Sequence, residues 1–197
     1  QILWGFFKKI VIADNCAIVA NAIFSNPESF NGIELLIGAL FFTFQIYGDF
    51  SGYSDIAIGV ARLFGIKLNR NFNSPYKAAS FTDFWRRWHI SLSSWFIDYV
   101  YIPLGGSRVS NILNYRNLLI TFIISGFWHG ANYTFLIWGL LHGILLIIEK
   151  FLKDINFSVN INYYLKILCT FMMTNITWIF FRSDNLSQAF VVIKNMF

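Results

Sequence analysis

The chain has 197 residues and a formal net charge of +5; 56% of its residues are hydrophobic, 20% are aromatic and only 13% are charged. Soluble domains carry about 25% charged residues, so this composition, with a mean hydropathy of +0.55, excludes an ordinary soluble domain. It predicts an all-α, polytopic membrane protein. Basic residues beside hydrophobic runs suit an anionic membrane surface, and we therefore expect the lipid bilayer as a partner and no nucleic acid.

The N-terminal third of the chain predicts membrane-associated helices. Residues 2–24 are apolar with three interrupting charges, and the turn signal Ser25-Asn-Pro-Glu28 ends the predicted helix. Residues 33–50 form a predicted span. Residues 55–66 are also apolar, but at about 1.5 Å per residue they are too short to cross about 30 Å of hydrocarbon.

Residues 80–102 combine aromatic and charged side chains. The spacing predicts a helix over residues 83–97 that lies at the membrane interface. One side of this helix would carry Trp85, Trp88, His89, Leu92 and Phe96. Arg86 and Arg87 cannot lie fully on that side, so we expect them to face headgroups, water or an acidic ligand.

Residues 117–148 contain no acidic or basic side chain other than histidine. One straight helix of this length would measure roughly 46 Å and overshoot the hydrocarbon core. Gly130-Ala-Asn-Tyr133 offers a break, so the sequence predicts two segments that meet around His129. Residues 164–181 form the last predicted span.

Positive charge indicates which side of the membrane the central region faces. Eight of the fifteen lysines and arginines lie between residues 62 and 116, against only two acidic residues, Asp83 and Asp98. The eight are Arg62, Lys67, Arg70, Lys77, Arg86, Arg87, Arg108 and Arg116. By the positive-inside rule this region faces the cytoplasm.

His129, in Gly126-Phe-Trp-His129-Gly, is the strongest candidate for chemistry. Ionisable groups inside a membrane cost several kcal/mol or more, so they are rare and usually functional. An apolar pocket disfavours the charged imidazole and keeps the neutral form available as a base. The alternative for His129 is a core histidine bonded to a carbonyl group. We interpret His142 as structural, in a helix that packs through Gly139 and Gly143.

His89 is a second candidate, and several neighbouring side chains are candidate donor- or substrate-binding groups. These are Trp85, Arg86, Arg87, Trp88 and Trp128, together with Asp49. The arginines could pair with phosphates. The alternatives are an interfacial anchoring belt for the Trp-Arg-Arg-Trp-His segment and, for Asp49 and Ser51, ordinary helix capping. No metal-ligand spacing is present.

Five segments resemble the membrane-bound O-acyltransferase family, in its bacterial alginate O-acetyltransferase and teichoic acid D-alanyl-transfer branch. They are residues 44–55, Asn71-Phe-Asn-Ser-Pro-Tyr76, Phe84-Trp-Arg-Arg-Trp-His-Ile-Ser-Leu-Ser93, residues 98–106 and Gly126-Phe-Trp-His-Gly-Ala131. The resemblance implies a helical ring around a tunnel, of which residues 1–197 form a single partial domain. It also implies that His89 and His129 are the paired family histidines, with His129 catalytic.

The resemblance further implies an activity and a location. An acyl group, expected to be acetyl, would pass from an intracellular donor such as acetyl-CoA or an acyl carrier protein to a hydroxyl of a cell-surface polysaccharide or partner protein. No bound cofactor is expected, and a periplasmic or extracellular acetyltransferase or a carrier protein is an expected partner, in a multi-pass protein of the bacterial cytoplasmic membrane. A proton-coupled transporter and a purely structural subunit are the alternatives that histidines in a membrane leave open.

Overall fold

The structure, a computed structural model, describes residues 1–157 and 161–197, and every regular element in those ranges is helical, as predicted. The α-helices are α1 (Ile2–Phe6), α2 (Asp14–Ser25), α3 (Gly32–Leu63), α4 (Phe81–Trp85), α5 (Ile90–Phe96), α6 (Asn111–His129), α7 (Tyr133–Asp154), α8 (Tyr163–Arg182) and α9 (Leu186–Met196). They form two compact units. The first unit comprises Gln1–Asn71 with Arg182–Phe197, and the second comprises Phe72–Phe181.

In the first unit, the helix predicted over residues 2–24 is present and ends at Ser25, but its middle differs from an ideal α-helix. A π-helical stretch, Phe7–Ala13, joins α1 to α2. It carries Lys8 as a buried residue. π-Helical turns are rare and frequently occur at functional sites.

The prediction of a span followed by a separate short run at residues 55–66 was wrong, because α3 is one continuous helix of 32 residues. Asn31 begins it with a capping box that includes Glu34. Glycines permit close packing where the break was expected: a Cβ at Gly52 would lie 2.8 Å from the Gly5 carbonyl oxygen. Since Asp49 and Ser51 therefore lie inside a helix, their interpretation as N-caps was also wrong.

In the second unit, the single helix predicted over residues 83–97 was wrong, since α4 ends at Trp85 and α5 begins at Ile90. The backbone N–H groups of Arg87 and Trp88 both bond to the Phe84 carbonyl, and the Arg87 carbonyl accepts from the Asn73 N–H at 2.9 Å. This contact with a distant loop replaces a helical hydrogen bond, so side-chain spacing alone could not reveal the break.

The break predicted near His129 is confirmed, because α6 ends at His129 and α7 begins at Tyr133. The two helices pack closely through glycines. A Cβ at Gly126 would overlap the Phe135 carbonyl, and a Cβ at Gly139 would overlap the Phe122 carbonyl. This close approach fixes the position of His129 relative to α7.

Three of the described helices are long and apolar enough to cross a membrane: α3, α7 and α8. The last of them confirms the span predicted over residues 164–181. Helix α6 does not meet that criterion; its N-terminal half carries three asparagines and Arg116.

Candidate active site

His129 occupies the C-terminal end of α6 in an aromatic environment. Its ring lies edge-on to Trp138 and Phe181, with centroid distances of 5.0 and 5.1 Å, and 5.0 Å from the neighbouring Trp128 ring. The side chain is half-buried. A neutral imidazole among aromatic rings, with one part of its surface open, is suited to accept a proton.

His89 lies in the turn that separates α4 from α5, and it begins α5. Its φ angle of +42° is in the left-handed region, which is uncommon for a residue with a side chain. The ring stacks on Phe72 at 6.5 Å. Burial lowers the pKa of His89 to about 4, so the imidazole is neutral at physiological pH. This burial favours a role within the protein over an exposed interfacial belt.

The two histidines belong to one aromatic cluster. Trp178 connects them, since its ring lies 5.0 Å from Trp88, next to His89 in the chain, and 5.3 Å from Phe181, which contacts His129. The imidazoles are close enough to interact electrostatically. The resemblance to the family implied that these two residues form a pair, and the structure places both in this cluster. Whether they act together in catalysis stays a prediction.

Two indoles of this cluster were not singled out from the sequence. Trp138 and Trp178 stack at 5.8 Å and are each 1% exposed. Their Nε1–H groups are buried without a hydrogen-bond partner among the described residues. A buried unpaired donor is uncommon, and no residue pattern in the sequence could have indicated it.

His142 has the structural role that we preferred. Trp85 Nε1 donates to His142 Nδ1 at 3.3 Å, so Nδ1 is the unprotonated nitrogen and Nε2 carries the hydrogen. Nε2 lies 2.9 Å from Thr177 Oγ1, and that hydroxyl donates to the Thr174 carbonyl at 2.8 Å. Both ring nitrogens are therefore occupied in a fully buried network.

The remaining candidate residues differ in their surroundings. Arg87 is bound by Asp83 at 2.8 Å and reaches the Asn73 carbonyl, whereas Arg86 is exposed and has no ion pair with any described residue. Trp88 is buried, and Trp128 is 56% exposed at the rim beside His129. Asp49 belongs to the first unit, where it pairs with Lys9 at 2.7 Å.

The second unit contains a cavity of about 550 Å³, within the usual range for a small-molecule site. Mostly apolar side chains line it, including Trp85, with a few polar groups. The polar lining residues include Arg86, Tyr101, Ser107, Asn114, Ser125 and Lys150. Neither His89 nor His129 lines this cavity, but Ser125 lies one helical turn before His129.

The polar end of this cavity was missed from the sequence. Asn114 and Asn117 lie in the first turns of α6, and both donate to the Gly106 carbonyl. No group of three or more His, Cys, Asp or Glu residues suited to a metal ion occurs in the part of the chain that the structure describes.

Comparison with known proteins gives the class to which this chain corresponds. The family model for the membrane-bound O-acyltransferase family matches residues 1–186. The chain therefore belongs to the membrane-bound O-acyltransferase family.

Among curated proteins, the chain is 50% identical over 194 residues to the peptidoglycan O-acetyltransferase of Helicobacter pylori, covering 98% of this chain and 37% of the relative. It is 46% identical over 197 residues to a probable alginate O-acetylase of Pseudomonas aeruginosa, covering 100% and 38%. It is 33% identical over 166 residues to the teichoic acid D-alanyltransferase of Bacillus subtilis, covering 79% and 41%. The chain thus spans about two fifths of the length of these relatives.

Proposed function

We propose that the protein of which this chain forms part is a membrane O-acyltransferase. It moves an acyl group, which we expect to be acetyl, from an intracellular thioester donor. The acceptor is a hydroxyl of a cell-surface polysaccharide or of a partner protein. The observation that carries the proposal is His129, a half-buried imidazole held among aromatic rings at the meeting point of α6 and α7. The relatives named as O-acetyltransferase, O-acetylase and D-alanyltransferase support the reaction class.

In this mechanism His129 accepts the proton of the acceptor hydroxyl as the oxygen attacks the thioester carbonyl carbon. A carbon–oxygen bond forms and the carbon–sulfur bond breaks. The departing thiolate takes the proton from the imidazolium, so the products are an ester and a free thiol. The aromatic rings around His129 exclude water, which limits hydrolysis of the donor.

His89 acts as a positioning residue in this proposal. Its neutral ring is held beside Trp88 by the left-handed turn, where it orients the donor or the acceptor by a hydrogen bond. The donor arrives from the cytoplasmic side, which the excess of basic residues between 62 and 116 supports. The exposed guanidinium of Arg86 is the better candidate for donor phosphates, because Arg87 is already paired with Asp83.

The test is His129→Ala in the full-length protein. General-base catalysis contributes roughly 10²–10⁴-fold in rate, so acyl transfer measured by mass spectrometry of the acceptor should fall by about that factor, with normal expression and membrane insertion. Phe127→Ala is the matched control, since Phe127 is 63% exposed on the same turn of α6. Unchanged acylation in His129→Ala would remove His129 from the mechanism.

The same full-length protein can be used to distinguish an acyltransferase from a proton-coupled transporter. A transporter would move substrate across vesicles without forming a covalent product, and an acyltransferase yields an ester on the acceptor.

A further inference from the structure

Helix α4 has only five residues, and contacts with the rest of the second unit must fix its position. Isolated helices shorter than about 12–15 residues are marginally stable at best. Two polar contacts join α4 to α7, one at each end of α4. At its beginning, the Thr82 N–H donates to Glu149 Oε2 at 3.1 Å. At its end, Trp85 Nε1 donates to His142 Nδ1 at 3.3 Å. Helix α7 is therefore the element against which α4 is positioned.

The position of α4 determines the position of His89. The Phe84 carbonyl, in the last turn of α4, accepts the N–H groups of both Arg87 and Trp88. His89 is the next residue and has the left-handed conformation. Because the turn that carries His89 is bonded to the end of α4, a displacement of α4 would also displace the imidazole.

Helix α7 also contacts the other candidate histidine. Trp138 lies four residues before His142, one turn away on the same side of α7, and its ring is 5.0 Å from the His129 ring. The rings of Trp138 and His142 are themselves 5.0 Å apart. Two neighbouring side chains of α7 are therefore connected to the two candidate histidines: Trp138 contacts His129 directly, and His142 is connected to His89 through Trp85.

The hydrogen bonds around His142 have a defined direction. The Thr177 hydroxyl donates to the Thr174 carbonyl at 2.8 Å, so it can only accept from His142 Nε2, which is 2.9 Å away. Nε2 therefore carries the imidazole hydrogen, and Nδ1 remains an acceptor, as the Trp85 indole requires. The contact between α7 and α4 thus depends on an acceptor atom at the Nδ1 position of a fully buried side chain.

We infer that His142 is a positioning residue for the proposed acyl transfer: by accepting the Trp85 hydrogen bond, it holds the turn that carries His89 at a fixed place relative to His129. The inference rests on the proposed function for its catalytic consequence. The positioning itself concerns geometry and is tested without turnover.

The geometric test is cross-linking between positions 89 and 129, whose imidazoles are close enough to interact electrostatically. In the full-length protein, with its other cysteines replaced by serine, His89→Cys and His129→Cys are combined. Bis-methanethiosulfonate reagents of increasing length are added. Each protein thiolate forms a disulfide with the reagent, and methanesulfinate leaves. Intact-mass measurement separates proteins bridged by one reagent from those that carry two, and the ratio of the two products reports how often the positions lie within the length of the reagent.

Two substitutions of His142 separate its two hydrogen bonds. In His142→Asn the amide oxygen lies near the former Nδ1 and can accept from Trp85, whereas in His142→Gln the amide nitrogen lies near the former Nε2 and can donate to Thr177. With the shortest reagent that bridges the parent protein, we expect His142→Asn to keep the bridging ratio. His142→Gln should lower it by about fivefold, the effect of one neutral hydrogen bond.

Thr177→Val is the matched control. It removes the other partner of His142 and leaves a buried N–H unpaired, so it should lower the unfolding temperature. It does not affect the hydrogen bond to Trp85, so the bridging ratio should be kept. Trp85→Phe removes the indole donor and should match His142→Gln. Combining these two substitutions should lower the ratio no further, because both remove the same hydrogen bond.

Equal bridging ratios in His142→Asn and His142→Gln would overturn the inference. An equally large loss in Thr177→Val would also overturn it, because the network would then only stabilise the fold.

The catalytic consequence is measured with His89 and His129 intact, with acetyl-CoA as donor and a cell-surface polysaccharide as acceptor. His142→Gln should lower kcat by a factor between about 5, for one hydrogen bond, and about 100, for a misplacement of roughly 1 Å. The KM for acetyl-CoA should be kept, and His142→Asn should recover kcat. A change in bridging with no change in kcat would contradict the role of His89 in the proposed function, and not the positioning by His142.

Discussion

In the first unit Lys8 lies 2.5 Å from Asp55 and Lys9 lies 2.7 Å from Asp49, whereas in the second unit His89 and His129 pack against aromatic rings. Opposite charges in apolar surroundings stabilise each other only as pairs. A histidine can instead remain neutral and change its protonation during a reaction. Lys8 and Lys9 thus form ion pairs with carboxylates of α3, whereas burial keeps the His89 imidazole neutral. Under the proposed function, His129 is the group that changes its protonation.

The largest effect is expected at the Lys8–Asp55 pair. Lys8 is 8% exposed, and its ammonium also donates to Ser51 Oγ at 3.1 Å. Lys8→Met would leave the Asp55 carboxylate without its cation, which costs about 3–5 kcal/mol for a buried pair. We expect the lower end, about 3 kcal/mol, because Gln1 still donates to Asp55. Thermal unfolding in detergent, followed by size-exclusion chromatography, measures the loss.

The double variant Lys8→Met with Asp55→Leu tests whether the unpaired carboxylate causes this loss of stability. Replacing both charges by apolar groups removes the unpaired carboxylate, so most of the stability should return. If the double variant were as unstable as Lys8→Met, the packing of the lysine stem rather than the ion pair would be responsible.

The sequence correctly predicted the parts of the fold that depend on composition and on local signals. The lack of charge over residues 117–148 and the Gly130–Tyr133 break correctly predicted two segments meeting at His129. The prediction of one helix over residues 83–97 was wrong, because a hydrogen bond from the distant Asn73 interrupts the helix between α4 and α5. The division of residues 33–66 into a span and a separate short run also failed, because α3 is continuous through Leu63 and Gly52 packs closely against Gly5.

Prediction of the candidate site from the sequence has the same limit, because contacts between distant residues cannot be read from local patterns. Histidine in an apolar run is visible in a sequence, so His129 and His89 were found. The unpaired Asn114 oxygen and the unpaired indoles of Trp138 and Trp178 were not, since a missing hydrogen-bond partner is a property of three-dimensional packing. The separation of Arg86 from the paired Arg87 likewise required the position of Asp83 in the folded chain.

A smaller effect is expected from the glycine contacts that position His129. Gly139→Ala places a Cβ on the Phe122 carbonyl oxygen, so α6 and α7 must move apart, at a cost of about 1–3 kcal/mol for overpacking. Gly143→Ala is the matched control on the same helix. Its nearest neighbours are the movable Leu119 Cδ1 at 3.1 Å and the Leu119 Cα at 3.3 Å, and we expect a smaller decrease in the unfolding temperature. Equal destabilisation by both variants would argue against backbone contact at Gly139 as the cause.

The neutral state of His89 predicts a pH dependence of stability. Its pKa is lowered to about 4 by burial, while the unfolded chain has a histidine pKa of about 6.5. Between these values the unfolded state binds more protons, so stability is lost as the pH falls from about 6.5 to 4. The contribution of His89 to the slope stays below about 1.4 kcal/mol per pH unit, the value for one full proton. His89→Gln should flatten the unfolding profile in this window, and an unchanged profile would contradict the assignment.

The smallest effect on stability is expected from a substitution of Asp49. The same substitution distinguishes an ion-pairing role of Asp49 from a substrate-binding role. Asp49 and Lys9 are 53% and 44% exposed, and Lys9 keeps a second partner in Asp14 at 2.8 Å. Exposed pairs of this kind contribute about 0–1 kcal/mol, so Asp49→Asn should unfold within a few degrees of the parent protein. Asp14→Asn, which removes the other partner of Lys9, is the matched control. If Asp49 serves only the ion pair, both variants retain full acyl transfer. If it binds substrate, as the sequence predicts, Asp49→Asn alone raises the KM for donor or acceptor, because a neutral amide no longer supplies the carboxylate charge at that position.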